Sequence, residues 1–154
     1  WGELYTQWLV NRFMIIRSSW LFVKNGKNFV EAIQSQVKTK HGLKVVSDQI
    51  GSPTYTIDLA HAIQQLLTIN NQLSTGLYGI WHITNSESCS WFDFAKEIVK
   101  QVGVKEDVEP VSTQQVNRLA ARPRNSVLDN FNWKLHNFPL LPTWQDALKR
   151  YLKQ

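Results

Sequence analysis

Residues 13–16, FMII, form an unbroken apolar run that stops at Arg17, Ser18, Ser19 and Trp20. A strand with one face in water alternates apolar and polar residues. One without polar positions fits a parallel sheet covered by helices on both faces. The polar residues that close the run then mark the C-terminal end of a strand, where open parallel sheets bind their ligands. Such a strand needs paired neighbours and two covering layers, and this requirement constrains the fold more than any other feature of the chain.

Helical and strand patterns alternate around it. Leu4, Trp8 and Leu9 have helical spacing in a segment that begins without a capping residue, as though the sequence started inside a helix. Phe29, Ile33 and Val37 predict a helix over 27–38, and His41 with Gly42 turns the chain into a strand at 43–46. A helix from 56 to about 69 places Leu59, Ile63, Leu66 and Leu67 on one face, and a strand follows at 80–84. Ser90 and Asp93 have capping-box spacing before a helix carrying Phe94, Ile98 and Val102, which Gly103 stops. A strand is expected at 108–111. Asp129 is placed to cap a short helix through Trp133 and Leu135. Thr143 and Asp146 form a second capping-box pattern before a final helix with Trp144, Leu148 and Leu152 buried. The order is α/β with parallel or mixed pairing. The strands are too few to cover residues 13–16, so they are expected to be the last strands of a larger sheet, joined to a small α/β domain.

The stretch 45–60, VVSDQIGSPTYTIDLA, reads as strand, polar loop with Gly51 and Pro53, and helix start, with Thr54 and Thr56 as N-cap candidates. Backbone N–H groups and small hydroxyls around such a concavity suit a phosphorylated or sugar ligand.

Net charge is +5, with Lys and Arg spread along the chain except for Arg118, Arg122 and Arg124 around Pro123. A basic chain can serve nucleic acid, an anionic surface or an anionic small molecule. The absence of a basic stripe interleaved with aromatics argues against nucleic acid, and the local arginine cluster fits a diphosphate better. No apolar run approaches a bilayer span and the first residues lack signal-peptide order, so a soluble cytoplasmic protein is expected. The single Cys89 excludes an internal disulfide and, without partner ligands, offers no metal site. His41, His61, His82 and His136 are too scattered to form a motif and read as surface or structural residues. There is no Gly-x-Ser-x-Gly elbow and no Gly-rich dinucleotide turn.

In order and spacing, IIRSSWLF, GKNFV, VVSDQIGSPTY, SWFDFAKEI, RPRNSVLD and WQDALKRYL resemble the C-terminal half of the dTDP-4-dehydrorhamnose reductases, in the extended short-chain dehydrogenase/reductase group. The resemblance implies the last parallel strands of a Rossmann-like NAD(P)-binding fold plus a small α/β substrate-binding domain. Residues 1–154 would form the substrate-binding portion, with the dinucleotide-binding half absent. Members of the group use a Tyr with a Lys four residues later, the lysine charge favouring the tyrosinate. Here Tyr5, Tyr55 and Tyr78 have Leu9, Leu59 and His82 at that offset, and Tyr151 lies too near the end. Gly2 and Glu3 resemble the pair that follows the family's lysine, so no catalytic residue is expected in this chain.

The resemblance also implies that Trp20, in the Arg-x-Ser-Trp motif, contacts the deoxysugar, for which an indole offers an apolar face and one N–H donor. Asn28, Gln49, Ser52 and Thr54 are candidate polar contacts to sugar or nucleotide, with Pro53 shaping the loop. Arg122 is the candidate for the diphosphate because a guanidinium fork matches phosphate oxygens. Ser18 and Ser19 would lie at the nicotinamide edge. The implied activity is reduction of dTDP-4-dehydro-L-rhamnose with NADPH or NADH, the isolated chain being inactive and prone to self-association through exposed sheet edge. The alternatives are a non-catalytic nucleotide-sugar-binding or regulatory subunit of the same fold, and a related epimerase or dehydratase.

Overall fold

In a computed structural model describing residues 1–39, 42–72, 76–105, 107–116 and 120–153, the apolar run becomes β1 (Met14–Arg17). It pairs in parallel with β6 (Gly79–His82), Met14 facing Gly79 and Arg17 facing His82. Met14 and Ile16 pack against a cluster built on Trp81, Ile83, Ala62, Leu66 and Trp133, whereas Ile15 joins neither core cluster. The strand is therefore half-buried on this pair rather than covered on both faces.

The other core lies between α2 (Phe29–Thr39), α4 (Trp91–Val102) and α6 (Trp144–Leu152), whose apolar stripes meet over β3 (Leu43–Val46). β3 pairs in parallel with β8 (Val108–Val111). Two further pairs stitch loops together: β2 (Leu21–Phe22) lies parallel to β5 (Thr54–Tyr55), and β4 (Ile50–Gly51) antiparallel to β7 (Cys89–Ser90). At two residues each, these strands have no period to read, and the sequence reading predicts no strand at any of them. The sheet system is mixed α/β, as expected.

The helix ends separate good capping chemistry from look-alikes. Ser90 and Asp93 form the full reciprocal box ahead of α4, and Gly103 closes it with φ +77, the left-handed conformation that favours glycine. At α6 the Thr143 hydroxyl accepts from the Asp146 N–H, but the Asp146 carboxylate turns to Arg150, so the box is half made. Ahead of α3 (Thr56–Gln72), Thr54 donates to the Ser52 carbonyl and the Thr56 hydroxyl is buried without a partner, so neither serves as the expected cap. Asp129 does not cap α5 (Phe131–Leu135) either. Asn130 holds that position, and its side chain bonds Thr84 while Asp129 pairs with Lys134. On α3 the buried stripe is Asp58, Ala62 and Leu66, and Leu67 faces out, one position off the expected face.

The first helix, α1 (Gly2–Leu9), buries no residue and exposes Leu4, Tyr5, Trp8 and Leu9, and its N-cap Trp1 is exposed as well. Its Glu3 carboxylate accepts from Arg17 Nε at 3.0 Å, fixing the helix to the end of β1. That ion pair holds the Glu3 carboxyl below its ordinary range. His41 and Arg118 lie outside the described residues.

Candidate functional site

The loop after β3 acts as a hub. The Gln49 amide donates to Thr113 Oγ1 at 3.0 Å, and Asp48 Oδ1 accepts from both the Thr113 N–H, at 2.9 Å, and its hydroxyl, at 2.6 Å. These bonds lower the Asp48 carboxyl below its usual range. One residue on, the Ile50 N–H donates to the Arg124 carbonyl and the Ile50 carbonyl accepts from the Ser126 N–H, both at 2.8 Å. The arginine loop is thus docked onto β4 by its backbone, which leaves the Arg122 guanidinium free for other partners. Among the described residues no carboxylate lies within ion-pair distance of it.

Gly51 is required for what lies beside it: a Cβ there would stand 2.2 Å from Cε2 of the Trp20 indole. Trp20 itself has φ +47, an uncommon conformation for a bulky residue, and its carbonyl is held by the Thr54 N–H at 3.1 Å. Ser19 Oγ donates to the Ser52 carbonyl at 2.9 Å. The exposed indole face is limited because Trp91 stacks on Trp20 with ring centroids 3.5 Å apart, and Phe29 in turn packs on Trp91.

These segments enclose a cleft of about 910 Å3 between α2, β3, the 47–53 loop and the arginine loop, large enough for a nucleotide sugar. Ser19, Trp20, Asn28, Gln49 and Arg122 all line it. Ser18, Ser52 and Thr54 do not. Ser52 and Thr54 are buried behind the wall, where they brace the Trp20 segment, and the Ser18 hydroxyl is buried without a partner. Asn28 is on the wall, yet its side chain is committed: Oδ1 accepts from the Val30 and Glu31 N–H groups, and Nδ2 donates to the Val23 and Gly26 carbonyls. It caps α2.

Sequence reasoning missed Trp91, Phe29, Lys27, Lys44 and Glu31, which also line the cleft. Lys27, Lys44 and Arg122 make its rim basic, although Lys44 also meets Glu109 at 3.3 Å. Glu31 is the acidic residue of the wall, and its carboxylate accepts from the Tyr151 hydroxyl. Burial first, and then this carboxylate, push the Tyr151 phenol up to about 12. The Cys89 thiol is likewise raised to about 12, chiefly by burial, which leaves it inert as a nucleophile. Among the described residues no group of His, Cys, Asp and Glu could hold a metal ion, and no helix is long and apolar enough to cross a membrane. The cleft has aromatic wall, amide and hydroxyl donors and a cationic rim: equipment for holding an anionic, partly apolar ligand.

The family model described as the RmlD substrate binding domain matches residues 1–154. The chain is 39% identical to the spore coat polysaccharide biosynthesis protein SpsK of Bacillus subtilis, over 91% of this chain and 47% of that one. It is 36% identical to a dTDP-4-dehydrorhamnose reductase of Aggregatibacter actinomycetemcomitans, over 96% of this chain and 52% of the relative. A crystal structure of a dTDP-4-dehydrorhamnose reductase from Bacillus anthracis in complex with NADP superposes with a TM-score of 0.91 at 40% identity, covering 99% of this chain and 52% of that one. The chain spans about half the length of the curated relatives it matches.

Proposed function

This chain belongs to the RmlD substrate binding domain family, and from that membership we propose that it forms the sugar-nucleotide-binding portion of a dTDP-4-dehydrorhamnose reductase. The intact enzyme would move a hydride from NADPH or NADH to C4 of dTDP-4-dehydro-L-rhamnose while the carbonyl oxygen takes a proton, giving dTDP-L-rhamnose. Residues beyond these 154 would supply the dinucleotide site and the proton donor; the NADP complex of the similar reductase supports that choice of cofactor. What carries the reading is the convergence of Trp20, Gln49 and Arg122, far apart in sequence, on one basic cleft.

In this assignment Trp20 lies against the deoxysugar, and the Gln49 amide offers a polar contact. Arg122, with Lys27 and Lys44 nearby, balances the diphosphate. Ser19 lines the same side as Trp20 and serves the sugar or the nicotinamide edge, with Ser18 behind it. Asn28, Ser52 and Thr54 act on the ligand through the backbone they hold. Calorimetric titration of dTDP-L-rhamnose into the chain tests this. Saturable binding that Arg122→Ala weakens at low salt, with a smaller deficit at high salt, is expected. Affinity unchanged by Arg122→Ala would remove the diphosphate assignment.

A further inference from the structure

Trp91 follows the helix cap Ser90, and nothing in its local sequence assigns it a role beyond starting α4. Its position is unusual all the same. The ring lies within 9° of parallel to that of Trp20 with centroids 3.5 Å apart, while the backbone N–H of Trp91 donates to the Gln49 carbonyl at 3.3 Å. Phe29 packs on it with centroids 4.5 Å apart. Trp91 is therefore tied to the hub loop through its backbone and to α2 through Phe29, and it transmits both positions to one face of Trp20.

Trp20 needs such support. Its backbone sits at φ +47, which is unfavourable for a large side chain and persists only where surrounding contacts enforce it. Three constraints converge: Thr54 on the carbonyl, Trp91 on one indole face, and Gly51 against the other, over Cε2. We propose that Trp91 is a positioning residue which, with Gly51, clamps the Trp20 indole at a fixed angle in the cleft, so that the pair sets selectivity for the sugar end of a nucleotide sugar. The inference rests on the assignment of this cleft to a sugar nucleotide. Stacking of two indoles prepays the ordering of Trp20 before ligand arrives. Loss of the stack affects the sugar subsite more than the cationic rim that meets the diphosphate.

The test is a paired titration of dTDP-L-rhamnose and dTDP into the wild-type chain, Trp91→Ala, Trp91→Phe and Gly51→Ala, with far-UV circular dichroism of each. Trp91→Ala should lose the two-signed indole band of the stacked pair, and the preference for the sugar nucleotide over dTDP should fall about three- to tenfold, the scale of one aromatic pair. Phe at position 91 should restore most of the preference without the indole band, and Gly51→Ala should lower it from the opposite side of the ring. Folded Trp91→Ala and Gly51→Ala chains with wild-type preference would overturn the inference, as would equal loss for both ligands. Should Trp91→Ala fail to fold, Gly51→Ala and Trp91→Phe decide by the same criterion. A wild-type chain that binds neither ligand would instead remove the sugar-nucleotide assignment and this inference with it.

Discussion

Replacing Arg150 should destabilise the chain more than replacing its partner Asp58, although both substitutions break the same ion pair. Asp58, in the first turn of α3, is only 7% exposed. Its oxygens accept from Arg150 Nη1 at 2.7 Å and Nη2 at 2.6 Å, and from the Asn85 amide at 2.7 Å. The pairing raises the Arg150 guanidinium further above its already high value, so it stays charged at any working pH. The Arg150 side chain, by contrast, is 37% exposed and also holds Asp146 at 2.7 Å. In Asp58→Ala the guanidinium keeps Asp146 and water and the Asn85 amide keeps the Pro142 carbonyl, so the loss is part of two charged hydrogen bonds and one amide bond, about 2 kcal/mol after discounting for solvent. In Arg150→Ala the carboxylate is left buried with one amide donor, and the cost rises to about 3 kcal/mol or more. With a urea slope of about 2 kcal/mol per molar, midpoints should fall by roughly 1 M and 1.5 M. The same network reaches the cleft, because Asn85 Oδ1 accepts the Tyr55 N–H and so steadies β5, whose Thr54 holds Trp20. Urea unfolding of the two single variants and the double variant, followed by circular dichroism, reads these values. If Asp58→Ala costs as much as Arg150→Ala, or both cost under about 0.5 kcal/mol, the difference in burial does not govern this pair.

Further expectations concern pH, a helix cap and the exposed helix. Tyr151 is raised from 10.0 to about 12, so the folded state holds its proton more tightly than the unfolded state. The resulting stability is fully present below pH 10 and is lost as pH rises through about 12. Tyr151→Phe should flatten that loss in melts across this window, and an unchanged slope would contradict the linkage. Ser90→Ala removes the hydroxyl that accepts from the Asp93 N–H and should cost about 1 kcal/mol by denaturant titration; a change near zero would mean the capping box contributes nothing. The exposed apolar face of α1, with Trp8 67% accessible, should drive concentration-dependent self-association measurable by light scattering. Trp8→Glu should reduce it, and a wild-type monomer at high concentration would count against it.

Long periodic segments were legible in the sequence because burial imposes the period. The strand at 43–46, the strand at 108–111 and α4 with its box and glycine stop all stand where the pattern put them. What misled was local chemistry with two outlets. Asp129 and Asn130 both suit a cap, and only the partner Thr84, distant in sequence, shows that Asn130's side chain is engaged elsewhere. In the same way Asn28 looks like a ligand contact until its four hydrogen bonds to α2 and the preceding turn are seen. The cleft was half legible. Trp20, Gln49 and Arg122 came from motif resemblance, but the aromatic shelf of Trp91 and Phe29 forms where α4 meets α2, and no local pattern reports that meeting.

The most direct test of the sugar-nucleotide cleft uses the seven tryptophans as reporters. In nitrogen-15 correlation spectra of the chain, assigned by single substitutions, dTDP-L-rhamnose should shift the indole N–H signals of Trp20 and Trp91. Those of Trp81 and Trp133, packed in the other core with β6 and α5, should stay in place. Shifts confined to Trp81, Trp133 or the α1 tryptophans, or none at saturating ligand, would contradict the assignment of this cleft.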